Sequence, residues 1–179
     1  IPELNLLDCN ISSKSFLNPI DSSNMNPSFW VEIGSIIEDN YNDYDGFVIL
    51  HGSDTMSYTA SALSFMLENL AKPIIFTGSQ LPIGDLRTDA KENLITSIQI
   101  ASLFNDNKPV ITEVGLYFEY KLYRANRTTK INAEHFEAFD SLNYSPLIIS
   151  GVNLSINHQA LLKPNWNQNL KVHKNFESN

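Results

Sequence analysis

Three side chains of this sequence have the types needed for hydroxyl chemistry: Ser53, Asp54 and Lys130. A serine hydroxyl is a weak nucleophile until a neighbouring base relieves it of its proton, and a lysine can be that base once it has shed its own. A carboxylate beside them can orient the ammonium or hold a substrate amine. Further hydroxyls and a carboxylate stand in Asp21-Ser22-Ser23-Asn24 and in Gly78-Ser79-Gln80. Each residue also has a plain structural use. Ser53 and Asp54 are good helix-capping types. Asp21, Ser22 and Ser23 suit a turn. Lys130, taken alone, reads as a solvated surface lysine.

The elements around these residues decide which use is open to them. Asn26-Pro27 starts a helix, with an amide cap and proline at the first helical position. Trp30, Ile33, Ile37 and Tyr41 then recur at helical spacing. Phe47 to His51 reads as a buried strand that breaks at Gly52. Thr55 to Leu70 is helical, stopped by Lys72-Pro73. Residues 73–78 form a second strand, and Ser79 to Thr88 a polar loop. Asp89 is expected to cap a third helix carrying Leu94, Ile95, Ile98 and Ala101. Val110 to Phe118 is a third strand, and 147–154 reads as a hairpin about Ser150-Gly151. Short apolar strands alternating with helices predict an α/β fold, a doubly wound, mostly parallel sheet with flanking helices. The loops after the strands then share the carboxyl edge, where such sheets bind ligands. The tail after Asn165 is rich in Asn and Lys and is expected to be loosely ordered or a linker.

Composition narrows the function. A formal net charge of -8 argues against a nucleic-acid surface. The single cysteine, Cys9, rules out an intrachain disulfide framework. Scattered histidines and the lack of a cysteine pair give no metal site. There is no GxGxxG or Walker pattern and no apolar run long enough to span a membrane. No signal peptide is read, so a cytoplasmic location is expected.

His51-Gly52-Ser53-Asp54-Thr55-Met56 and the helical run that follows closely resemble bacterial type I L-asparaginases. Asp21-Ser22-Ser23-Asn24-Met25, Thr77-Gly78-Ser79-Gln80-Leu81-Pro82 and the block from Leu122 to Lys130 match further segments in the right order, over roughly residues 16–150. The resemblance implies hydrolysis of L-asparagine to L-aspartate and ammonia, with no metal or organic cofactor. It places Ser53 at a site usually held by threonine, Asp54 at the aspartate that binds the substrate α-amino group, and Lys130 at the catalytic lysine. It assigns substrate binding to Asp21, Ser22, Ser23 and Ser79, and a homotetramer, a dimer of dimers, to the assembly.

Two departures accompany the match. Serine at position 53 keeps the hydroxyl but loses the methyl that restricts its rotamer. A Thr-Gly-Gly-Thr motif, which the resemblance makes the attacking residue's home, does not occur in these 179 residues. The expectation is therefore an asparaginase N-terminal α/β domain at 1–165, incomplete at its start, with 166–179 leading toward a smaller C-terminal domain. An asparaginase-like subunit of a tRNA-dependent amidotransferase and a non-catalytic flavodoxin-like binding domain are the alternatives.

Overall fold

The computed structural model describes residues 1–176. Asn26 caps helix α1 (Pro27–Asn40) by accepting from the Ser28 amide, and proline occupies a first-turn position where no amide is needed. Strand β1 (Phe47–Leu50) leads into helix α2 (Met56–Met66). Strand β2 (Ile74–Thr77) leads into helix α3 (Ala90–Ala101). Strands β3 (Val114–Phe118), β4 (Lys121–Arg124), β5 (Ile148–Ser150) and β6 (Leu154–Ile156) complete a six-stranded sheet, ordered as in the chain.

The first three strands are parallel, with Phe47 opposite Ile74 and Ile74 opposite Val114. Strand alternation sends Ile74, Phe76, Leu116 and Phe118 into one core with Ile33 and Ile37 of α1 and Leu63 of α2. Ile75 and Tyr117 point into a second core with Ile100 of α3. Helices thus cover both faces, and the expected doubly wound α/β architecture is borne out. The sheet is then extended by antiparallel pairing of β3 to β4, β4 to β5 and β5 to β6. The β5–β6 hairpin turns at residues 151–153, around the expected Ser150-Gly151. Glu119 and Tyr120 turn β3 into β4 with φ of 43° and 67°, a left-handed pair that non-glycine residues seldom adopt.

Two expected stretches differ. The helix read to Leu70 ends at Met66, because Leu67–Glu68 pairs antiparallel with Lys171–Val172 and Asn69 adopts φ 62°. The tail read as loosely ordered is therefore tied down. The His173 amide donates to the Met66 carbonyl at 2.8 Å, His173 Nε2 lies 2.6 Å from Glu68, and Phe176 meets Trp30 edge-on. Local composition could not show this, since Lys171 pairs with Glu68, 103 residues away in the chain.

The far end of β4 is held by a buried ion pair. Arg124 Nε donates to Glu113 Oε2 at 2.5 Å and Nη2 to the Ala160 carbonyl at 2.6 Å, while Glu113 also accepts from the Leu162 amide. The two side chains are 11% and 3% exposed, and the guanidinium lies over the Tyr144 ring. Removing one partner leaves the other charge buried and alone. Glu113→Ala is expected to lower unfolding free energy by about 3 kcal/mol in urea titration; a loss of a few tenths would class the pair with exposed bridges.

Candidate active site

Parallel topology puts the loops after β1 and β2 on one edge, and two glycines let them come close. A Cβ at Gly52 would lie 2.5 Å from Ser22 Oγ, and one at Gly78 would collide with the His51 carbonyl oxygen. The Asp21–Asn24 turn is therefore pressed on residues 52–55. Ser22 is buried, and the Thr55 hydroxyl donates to its carbonyl at 2.6 Å. Asp21 accepts from the Ser23 amide and hydroxyl at 2.9 and 2.8 Å, and these bonds hold its carboxyl below the usual carboxylate range.

Ser53 and Asp54 do not cap α2. Thr55 takes the cap position without a side-chain cap bond, and the Ser53 and Asp54 side chains turn to Lys130 instead. Lys130 Nζ donates to Ser53 Oγ at 3.0 Å and to Asp54 Oδ1 at 2.8 Å. The lysine side chain is 17% exposed and the aspartate 63%, so the carboxylate faces solvent while the ammonium lies inside. Lys130 reaches this position from the strand pair Thr129–Lys130 with Phe139–Asp140, after the Ala125–Arg127 turn that packs on α2. One hydroxyl, one ammonium and one accessible carboxylate thus meet at the sheet edge. Such a trio can pass a proton at the hydroxyl and bind an amine from solvent.

Ser79 stands on the neighbouring loop, partly buried between Gly78 and Gln80. Sequence reading placed Ser53, Asp54, Lys130, Asp21, Ser22, Ser23 and Ser79 around one edge, and the structure puts the first three in direct contact. It did not single out Thr55, Gln80, Asp89 or Asn93 for the site. Thr55 and Gln80 lie inside the recognised blocks; Asp89 had been assigned to capping.

The residues of this edge follow a pattern that comparison decides. The sequence profile described as "Asparaginase, N-terminal" matches residues 2–162. This chain belongs to the asparaginase N-terminal domain family. As a member of that family it is 54% identical to L-asparaginase 1 of Escherichia coli K12 over 135 residues, 75% of this chain and 38% of that protein. It is 45% identical to the 60 kDa lysophospholipase of Mus musculus over 157 residues, 88% of this chain and 27% of that protein. The crystal structure of L-asparaginase I from Vibrio cholerae superposes with a TM-score of 0.78 at 47% identity, covering 86% of this chain and 45% of that one. The asparaginase domain described here spans less than half the length of these relatives.

His51 closes β1 directly before the site. Its Nδ1 lies 2.7 Å from the Gly52 carbonyl, which calls for a proton on that nitrogen, while Nε2 is buried without a protein partner among the described residues. Burial holds the imidazole below its ordinary 6.5, with the Gly52 carbonyl pulling weakly the other way. A folded-state value below the unfolded one means that the unfolded chain binds the proton first as pH falls. The associated stability is complete above the unfolded value and is lost as pH drops from there through the folded value. In an NMR titration the His51 Cε1 proton is expected to show a midpoint below 6.5; a midpoint at or above it would contradict the burial described.

Proposed function

We propose that this chain forms part of an L-asparaginase, an amidohydrolase that converts L-asparagine and water to L-aspartate and ammonia. The observation that carries the reading is Lys130 Nζ bonded to both Ser53 Oγ and Asp54 in a chain of this family. Asp54, the exposed member, receives the α-ammonium of the substrate. That ammonium competes with Lys130 for the carboxylate and leaves Nζ to Ser53 Oγ. Ser53 and Lys130 then form the hydroxyl–amine pair through which a proton reaches or leaves the reacting amide. Asp21, Ser22 and Ser23 grip the substrate backbone, and Ser79 lines the site beside them.

A hydroxyl first attacks the side-chain amide carbon, the C–N bond breaks as the departing nitrogen takes up a proton and leaves as ammonia, and water then cleaves the resulting ester to L-aspartate and restores the hydroxyl. The first attack belongs, on the family resemblance, to a threonine of a Thr-Gly-Gly-Thr motif, and we place that residue in the remainder of a full-length protein, with 166–179 leading toward a second, smaller domain. A homotetrameric assembly and a cytoplasmic location complete the proposal. No helix among the described residues is long and apolar enough to cross a membrane.

The test is ammonia release from L-asparagine by the full-length protein. Ser53→Ala and Lys130→Met are each expected to lower kcat by about 100-fold or more, the usual range for a lost proton-transfer group. Ser53→Thr should remain active, because it keeps the hydroxyl. Wild-type turnover in Ser53→Ala would remove that residue from the chemistry. Ammonia transfer that requires a charged tRNA, or ester cleavage of lysophosphatidylcholine without asparagine hydrolysis, would assign another reaction to the same edge.

A further inference from the structure

Asp89 stands at the N-cap of α3, a position its carboxylate is chemically suited to fill, yet it makes no side-chain bond to that helix's amides. The Thr88 hydroxyl accepts from the Ala90 amide instead, at 3.0 Å. Asp89 points the other way. Its carboxylate accepts from the Gln80 amide at 2.9 Å, from the Leu81 amide at 3.1 Å and from Asn93 Nδ2 at 3.1 Å. Asn93 is 1% exposed and uses its remaining capacity on the same region. Its Nδ2 also donates to the Gly78 carbonyl at 3.0 Å, and its Oδ1 accepts from the Glu119 amide at 3.1 Å.

Ser79 is thereby clamped on both flanks. The carbonyl before it is held by Asn93 and the amide after it by Asp89. From this anchored backbone the Gln80 side chain crosses to another loop, where Nε2 donates to the Ala133 and His135 carbonyls at 3.1 and 3.0 Å. Those carbonyls begin three residues beyond Lys130. A single carboxylate therefore underlies two walls of the site, the Ser79 loop directly and the segment after Lys130 through Gln80.

We propose that Asp89 is a positioning residue of the candidate active site, holding Ser79 in place for substrate and, through Gln80, steadying the strand that presents Lys130. The proposal rests on the amidohydrolase reading for its kinetic consequence, though not for its structural one. Asp89 touches no reacting atom. Its effect should fall on substrate binding more than on the chemical step, because it holds the Ser79 loop directly and reaches the segment after Lys130 only through Gln80.

The experiment combines steady-state kinetics on L-asparagine with amide hydrogen exchange, in the full-length protein. Asp89→Ala is expected to raise KM by about tenfold, the scale of a charge-assisted hydrogen bond lost, with a smaller fall in kcat. Exchange at the Gln80 and Leu81 amides should accelerate while the β2 amides stay protected. Asp89→Asn keeps an Oδ1 that both amides can share and should recover most of the KM. Gln80→Ala should raise KM while leaving the Leu81 amide protected, since the backbone clamp survives. Unchanged KM and unchanged exchange in Asp89→Ala would overturn the proposal. Should that variant fail to fold, wild-type KM in Gln80→Ala would overturn the cross-loop link, and rapid exchange at Gln80 and Leu81 in the wild type would overturn the clamp. A wild-type protein inert toward asparagine would defeat the amidohydrolase reading, and the exchange data would still decide what Asp89 does.

Discussion

The pairing of Arg124 with Glu113 is the constraint on which the site's geometry depends. β4 runs away from the carboxyl edge of the parallel strands, so the chain must come back to bring Lys130 to Ser53. Arg124 marks the point from which it returns. Its guanidinium is committed to a carboxylate, a carbonyl and the face of Tyr144, which leaves the end of β4 little freedom. Ala125 follows at once and is fully buried against α2. The path from there to Lys130 is short, so fixing Arg124 also restricts where the segment that presents Lys130 can begin. The same carboxylate receives the Leu162 amide, tying that segment to the start of β3.

A second level of control lies between the loops. Gly52 and Gly78 make room for close chain crossings, and side chains then fill the remaining polar needs. Thr55 bonds the Ser22 carbonyl, His51 the Gly52 carbonyl, and Asp89 the Gln80 and Leu81 amides. Loop backbone near a sheet edge has no ladder to satisfy it, so each such bond substitutes for one that a strand would have made. The loops of this edge are held by side chains from elsewhere in the chain in addition to their own turns.

Much of this was legible in the sequence. Alternating apolar strands and helices announced the doubly wound sheet, and ordered blocks around Ser53, Asp54 and Lys130 announced the family. Those signals are local or carried by short motifs. What stayed hidden was long-range. Lys171 and Val172 have no strand-like context of their own, and pair with Leu67–Glu68 only because the fold brings them there. The Glu119–Tyr120 turn lacks the glycine or asparagine that marks left-handed backbone. Asp89 holds the N-cap position read for it, but its carboxylate does not bond the helix amides, for a related reason. Its position before a helix is visible in sequence, but whether a carboxylate turns inward to a helix or outward to a loop is set by partners eight and nine residues upstream.

The contact between Ser53 and Lys130 spans 77 residues of chain. Closing a loop costs conformational entropy before its contact rewards it, and the paired strands between the two residues shorten the loop that remains to be closed. The Ser53–Lys130 contact therefore forms most readily once those strands have paired. A molecule with its helices formed and its central strands paired, but this closure still open, would look native by circular dichroism and be chemically silent. Closure of the Ser53–Lys130 contact thus reports completed folding more faithfully than secondary structure does.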